Sequence, residues 1–411
     1  MDSKQARVVI VGGGFGGLFT ALDLADTGEV TLISPEDHFT FTPLLYEYLS
    51  GEVEEWHIAP RYKELLSDRV QFIQDEVTEV DLQAHTVAVA GREGRIPYDL
   101  LVLAIGGMTN YAGVEGAEQY SLPFRKVEHA DALRQRMIAT LDRIPPDAAP
   151  QDARQAAVFA IVGAGASGIE LSIKMADLLH DAFQRRGLRG DPRVMVIEMG
   201  RQVLPGMEDD LRAYVEQVLT KSRIETLTST RVRRVTPRGL VYEHNGTQTE
   251  VEAAAVVWVG GVRVNPLVEQ LNIEKDKHGL IAIEPTLQAR GHRELFVLGD
   301  IAHYTDAAPT LAGTAQLAFQ EAGLVARNVR ALLTGRPLET KHFAELGEAV
   351  SLGTENAAIF AAGQVLHGPL ARRARFAMYT SRLPTWQHRL KVSASWFFEG
   401  TQPRPLGLLR P

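Results

Sequence analysis

The chain has 411 residues, 45% of them hydrophobic and 23% charged, which suits a soluble α/β protein of two or three domains better than a single core. Its net charge of −8 points away from nucleic acid, and the lack of any cysteine excludes disulfide scaffolds, thiolate metal sites and a thiol relay. The polar opening 1–6 gives no expectation of a signal peptide, and no run of about eighteen apolar residues is present to span a bilayer.

An apolar run at 8–11 leads into Gly12, Gly14 and Gly17, after which Leu18, Ala21, Leu22 and Ala25 recur at helical spacing. This predicts strand, tight turn and helix, the context in which a G-x-G-x-x-G pattern gains meaning. Close backbone approach at the glycines, with roughly half an elementary charge at the helix N-terminus, would hold a pyrophosphate. Where an acid usually binds the ribose, 22 residues after Gly12, stands Ser34, and Glu36 is the candidate to replace it. A hairpin-like stretch around Gly91 and Gly94 then precedes the apolar strand 100–105, which ends at Gly106.

The Pro/Ala/Asp-rich stretch 144–155 reads as a surface loop. Beyond it the run 158–162 opens a second fingerprint, Gly163, Gly165 and Gly168, 151 residues after the first, followed by Ile169, Ile173, Ala176, Leu179 and Phe183 at helical spacing. Glu170 falls in that helix's first turn, either to stabilise the N-terminus or to face a cofactor. Glu198 ends the strand 194–197, where a carboxylate accepts from ribose hydroxyls and repels a 2′-phosphate, favouring NADH. Arg201 leaves NADPH open, as a phosphate partner or as a solvated surface arginine. A hairpin at 240–251 turns at Asn245-Gly246, and the strand 256–259 ends at Gly260.

Gly106 lies 94 residues beyond Gly12, and Gly260 lies 97 beyond Gly163, so two similarly built nucleotide-binding domains are expected. A further strand, 295–298, ends in Gly299-Asp300 and is expected to return the chain to the first domain. Asp300 would contact a cofactor there or cap a helix.

The two fingerprints, the run Tyr98-Asp99 to Gly106, and Leu295-Phe296-Val297-Leu298-Gly299-Asp300 together resemble the two-dinucleotide flavoprotein oxidoreductases. The resemblance implies an α/β fold of two Rossmann-like domains: 1–112 with 281–345 for FAD, 113–280 for NAD(P)H, and a short membrane-associating or dimerising region at 346–411. The cysteine-dependent disulfide reductases and sulfide:quinone reductases of that superfamily are excluded by composition.

Two segments narrow the resemblance to type II NAD(P)H:quinone oxidoreductases. His38-Phe39-Thr40-Phe41-Thr42-Pro43-Leu44-Leu45-Tyr46, with Ile58-Ala59-Pro60, is similar to that family's segment after the second strand. Thr314-Ala315-Gln316-Leu317-Ala318-Phe319-Gln320 is similar to its Ala-Gln-x-x-x-Gln pattern beside the quinone. Leu346-Gly347-Glu348, Gly368-Pro369-Leu370-Ala371 and Arg382-Leu383-Pro384-Thr385-Trp386 look most like the demethylphylloquinone or demethylnaphthoquinone reductase branch.

The resemblance implies Glu170, Gln316 and Gln320 as candidate catalytic side chains. It implies cofactor contacts at Gly12, Gly14, Phe15, Gly16, Gly17, Ser34, Glu36, Pro43, Leu44, Val77, Ala104, Gly106, Gly299, Asp300, Ala315 and Gln316, and, in the second domain, at Gly163, Gly165, Ala166, Ser167, Gly168, Glu198, Gly260 and Gly261. Read without it, Gln316 and Gln320 are equally a pair on a helix surface, the Phe39, Phe41, Leu44, Leu45 cluster is ordinary core or pocket wall as readily as a quinone contact, and Trp258 is core. No metal is expected.

The implied activity is two-electron transfer from NADH or NADPH through FAD to a membrane naphthoquinone, without proton pumping. Alternatives sharing the domain plan are a soluble NADH-dependent ferredoxin or rubredoxin reductase, and an NADH-sensing regulatory flavoprotein like the apoptosis-inducing factors. Residues 366–411 carry +7 against −15 in the rest. There Arg372, Arg373, Arg375, Arg382, Arg389 and Lys391 alternate with Phe376, Tyr379, Trp386, Trp396, Phe397 and Phe398, a pattern suited to an anionic bilayer surface. The expectation is peripheral attachment at the cytoplasmic face, with a second copy of the chain as the other candidate for the same aromatics.

Overall fold

The computed structural model describes residues 6–304, 313–343, 347–361 and 363–408, which leaves Leu346 of the C-terminal motif outside. The chain divides into two compact units. One comprises Met1–Thr40, Ala59–Met108 and Val262–Glu345; the other comprises Phe41–Ile58, Thr109–Gly261 and Leu346–Pro411.

Continuous apolar runs, buried on both faces, form parallel strands. In the first unit Arg7–Val11 pairs on one side with Glu29–Ser34 and on the other with Leu100–Leu103. Val70–Gln74 and the returning strand Leu295–Val297 complete a five-stranded, all-parallel sheet. The second unit repeats the plan. Val158–Val162, buried throughout, lies between Arg193–Ile197 and Ala255–Trp258, with Glu225–Leu227 and Leu122–Pro123 at the edges, again all parallel.

Each unit also carries a three-stranded antiparallel meander. In the first it is Val77–Asp81, Thr86–Val89 and Arg95–Pro97, with Gly91 and Gly94 in its second turn. In the second it is Thr230–Thr236, Gly239–His244 and Thr247–Glu252. Asn245 and Gly246 both take positive φ, 49° and 78°, as a two-residue type I′ hairpin requires. Val232, Val235, Leu240 and Tyr242 carry this meander into the same core as Val158, Ala160, Met195 and Trp258.

The fingerprint helices are Phe15–Asp23 and Ala166–Arg185. The first packs along Ala315–Leu333, with Phe19 edge-on to Phe319 at 4.7 Å. The C-terminal part of the second unit is a three-stranded antiparallel sheet, Glu348–Ser351, Ala357–Ala361 and Gln364–His367, followed by helices Pro369–Ser381 and Trp386–Glu399. Pro384 lies in the break between those helices, and Thr385 Oγ1 caps the second by accepting from His388 N at 3.2 Å. Among the described residues no helix is long and apolar enough to cross a membrane.

Candidate functional site

At the first fingerprint Gly12 leaves its strand with φ of +102°, and a Cβ there would stand 2.4 Å from Ala104 O. On Gly17 it would stand 1.8 Å from Gly12 O. Gly14, by contrast, has nothing within 4 Å of that point, and the helix it opens has neither a capping side chain nor an acid in its first turn. An uncapped helix N-terminus beside open space fits an anionic pyrophosphate. Gly16 faces Leu298, while Phe15 sits edge-on to Phe39 at 5.0 Å.

Ser34 is buried, and its Oγ donates to Glu36 Oε2 at 3.4 Å. Tyr62, which the sequence did not reveal, supports the loop from below by donating its hydroxyl to Gly13 O at 2.7 Å. Asp300 Oδ2 accepts from Gly107 N at 3.2 Å, next to Gly106. The neighbouring Gly299 N donates to Glu321 Oε2 at 2.7 Å, and Tyr304 hydroxyl donates to the other carboxylate oxygen. Burial pushes the Glu321 carboxyl above its ordinary range, and nothing in the local sequence marked this residue. Val77 and Ala104 are buried.

On the same unit's helix Ala315–Leu333, Thr314 Oγ1 caps the start by accepting from Leu317 N at 3.1 Å. Ala315, Gln316 and Gln320 occupy the opening turns, half-buried. Among the described residues Gln316 Nε2 is a buried donor without a partner, an atom that a ligand carbonyl could satisfy.

The second fingerprint copies the first: Gly163 has φ of +108°, a Cβ on Gly168 would stand 1.9 Å from Gly163 O, and Gly165 opens an uncapped helix with nothing within 4 Å. Ala166 and Ser167 begin that helix. Glu198 is held at both oxygens, Oε2 accepting from Ala164 N at 2.7 Å and Oε1 from Gly200 N at 2.6 Å, whereas Arg201 is exposed. Trp258 is core with a polar handle. Its Nε1 donates to Asn110 O at 2.9 Å and Gly260 O at 2.8 Å, steadying the Gly260-Gly261 turn.

Glu170 lies one turn further into its helix than expected, since the first turn holds no acid, and it belongs to a buried ionic cluster inside the second unit. Its Oε1 accepts from Ser351 N at 2.7 Å and Arg375 Nη2 at 3.0 Å. Arg375 Nη1 donates to Glu47 Oε1 at 2.7 Å, and its Nη2 also to Pro43 O at 2.8 Å, beside the buried Leu44. One turn along from Glu170, Lys174 is fully buried and donates to Glu52 and to Gly353 O. Asp177, a further turn on, accepts from Thr354 N at 2.7 Å, so one helix face clamps the loop 351–354. Burial, opposed by Arg375 and reinforced by Glu47, pushes the Glu170 carboxyl up to about 7. Against the same burial, Arg375 and Lys174 hold Glu47 below its ordinary value.

This corrects part of the C-terminal expectation. Arg375, Phe376 and Tyr379 are buried, and Arg372 is turned inward to Glu52 Oε1 at 2.6 Å, so these four do not present themselves to an outer surface. Leu370, Trp386, Leu390, Phe397 and Phe398 remain exposed, from 62% to 83%, with Arg373 and Lys391.

Residues 6–322 match the family described as pyridine nucleotide-disulphide oxidoreductases. Over 99% of this chain and 98% of the relative, 35% of residues are identical to the demethylphylloquinone reductase NdbB of Synechocystis sp.. The chain belongs to the pyridine nucleotide-disulphide oxidoreductase family and, within it, to the type II NAD(P)H:quinone oxidoreductases. The type II NADH:quinone oxidoreductase Ndh of Mycobacterium tuberculosis is 31% identical over 83% of this chain and 76% of its own length. The fold is shared with NDH2 of Plasmodium falciparum, solved in complex with NADH, at a TM-score of 0.85 and 17% identity, covering 97% of this chain and 99% of that one.

Proposed function

We propose that this chain oxidises NADH or NADPH and passes two electrons through FAD to a membrane naphthoquinone of the demethylphylloquinone type, without pumping protons. The full-length relation to a demethylphylloquinone reductase carries the reading. Two glycine turns, each open beside an uncapped helix N-terminus, support it.

The first unit would hold FAD with Gly12, Gly14, Phe15, Gly16 and Gly17 at the pyrophosphate, Glu36 toward the ribose and Asp300 toward the flavin. The second would hold the nicotinamide nucleotide through Gly163, Gly165, Ala166, Ser167 and Gly168. There Glu198, fixed by two backbone amides, reads the ribose hydroxyls and favours NADH. Once bound, FAD supplies the two-electron relay that no side chain of this cysteine-free chain offers.

Gln316 Nε2 offers its unpaired N–H to a quinone carbonyl, with Gln320 as a second amide and Ala315 leaving room for the ring. Quinol formation needs two protons, and a buried carboxyl poised near neutrality at Glu170 can hold one. Trp386, Leu390, Phe397 and Phe398, flanked by Arg373 and Lys391, suit the cytoplasmic surface of an anionic bilayer, where a prenylated quinone is collected.

Anaerobic stopped-flow tests the reading: the flavin is reduced with NADH or NADPH and then mixed with a short-chain naphthoquinone. Rapid reoxidation is expected, and a flavin that stays reduced overturns it in favour of a protein acceptor. Phe397→Ser with Phe398→Ser should lower co-sedimentation with anionic vesicles while leaving NADH-driven flavin reduction intact.

A further inference from the structure

Buried charge in the second unit is unevenly shared. Glu52 is met by two cations, Lys174 and Arg372, and Glu47 also by two, Arg375 at 2.7 Å and Lys174 at 3.7 Å. Among the described residues Glu170 is paired with a single cation, Arg375, at 3.0 Å. One guanidinium therefore serves two carboxylates from separate segments of the chain. Ser351 links the same two acids, giving its N–H to Glu170 and its hydroxyl to Glu47 at 2.8 Å. Glu47 Oε2 and Arg375 Nε are both buried without a partner among the described residues, so the alignment of the pair depends on the bonds just named and on Pro43 O.

We propose that Glu47 is a positioning residue for Glu170: by holding Arg375 Nη1 and Ser351 Oγ it divides the guanidinium between two acids and sets whether Glu170 carries a proton. The proposal rests on the reading of Glu170 as a proton holder. Two effects act in one direction. The Glu47 charge repels a charge on Glu170 through a buried interior, and it takes up part of Arg375, the cation paired with Glu170 among the described residues. The other titratable or charged groups around Glu170 are Tyr46 from the segment before Glu47, Lys174 on its own helix, and Arg375 and Tyr379 from Pro369–Ser381.

The test is thermal unfolding of the holoenzyme from about pH 4.5 to about pH 8.5, for the wild type, Glu47→Gln, Glu170→Gln and the double variant. A carboxyl raised in the folded state binds its proton more tightly there than in the unfolded chain. Its contribution is therefore complete below the ordinary carboxylate range and is lost as pH rises through about 7. Glu47→Gln should move that loss to lower pH by about one unit, and the shift should vanish in the Glu170→Gln background. The pH limb of flavin reoxidation by quinone should move the same way.

An unmoved midpoint in Glu47→Gln, or an equal shift without Glu170, overturns the proposal. Glu47→Asp keeps the charge and should keep the wild-type midpoint; a displaced midpoint there overturns it even where the glutamine variant does not fold. If Glu170→Gln leaves quinone reoxidation and its pH profile untouched, while Glu47→Gln still shifts the stability midpoint of the chain that keeps Glu170 and not of the chain that lacks it, the catalytic reading of Glu170 fails and the hold of Glu47 on it stands.

Discussion

The two fingerprint turns are near-copies, yet the helices behind them are built for different surroundings. Both turns bring a glycine so close to the backbone of the other end that a Cβ would stand under 2 Å from a carbonyl oxygen, and both leave the middle glycine open. Two residues past the last glycine, however, the first helix has Phe19 and the second has Glu170. Six residues past it, the first has the exposed Asp23 and the second the fully buried Lys174. The first helix ends after 9 residues and meets an aromatic cluster of Phe15, Phe39 and Phe319; the second runs for 20 and holds the C-terminal loop 351–354 with three polar side chains. Anion-binding geometry is thus a property of the turn, whereas the chemistry available behind it belongs to the helix face.

The sharpest way to break that contrast is Lys174→Met, which takes one of two cations from each of the buried carboxylates Glu52 and Glu47. A loss of about 3–5 kcal/mol is expected in urea unfolding, against about 0.5 kcal/mol or less for Asp23→Asn at the matching position. Next come Gly17→Ala and Gly168→Ala. Because the closed approach is the same at both, each should cost about 2–3 kcal/mol, and clearly unequal losses would show that the turns are not equivalent.

Gly165→Ala separates fold from ligand: its Cβ meets no protein atom, so stability should stay within about 0.5 kcal/mol while NADH binding, followed by fluorescence titration, weakens by about tenfold. Glu198→Gln should narrow the preference for NADH over NADPH by about tenfold in kcat/KM; an unchanged preference would remove Glu198 from the ribose site.

The smallest effect is expected at His57. Burial, opposed by Glu54 and reinforced by His388 and Arg404, pulls its imidazole down to about 4. Its neutral ring accepts from Glu54 N and Trp396 Nε1, and its carbonyl meets His388 of the helix Trp386–Glu399. A depressed imidazole contributes stability that is complete above about pH 6.5 and lost as pH falls toward about 4. Hydrogen exchange in Trp386–Glu399 should accordingly gain relative to the parallel sheet on going from about pH 7 to about pH 5.

Glycine spacing, apolar runs and the Asn245-Gly246 turn are local signals, each tied to one backbone conformation, and the central strands of both parallel sheets with one hairpin of each meander were legible from them, whereas the edge strands Val70–Gln74, Leu122–Pro123 and Glu225–Leu227 were not. The placement of Glu198 and Asp300 was legible for the same reason, since each follows a strand beside a glycine turn. Tyr62 and Glu321 left no such mark because they act on backbone groups far along the chain. Arg375 was indistinguishable from Arg373 as a basic residue among aromatics, although one is buried and the other exposed. The faint clue to the cluster was Glu47 itself, a lone acid in the run Leu44-Leu45-Tyr46-Glu47-Tyr48-Leu49.

What the sequence by itself determined is the pair of strand–turn–helix units, the absence of thiol chemistry and the branch of the family that the chain resembles, because hydrophobic period, glycine placement and composition act locally. Only the tertiary structure decided which charges are paired and which face outward. A carboxylate or guanidinium becomes a proton holder or a structural tie through the groups that replace its water, and those are contributed by the segment 41–58, the helix Ala166–Arg185, the loop 351–354 and the helix Pro369–Ser381 together.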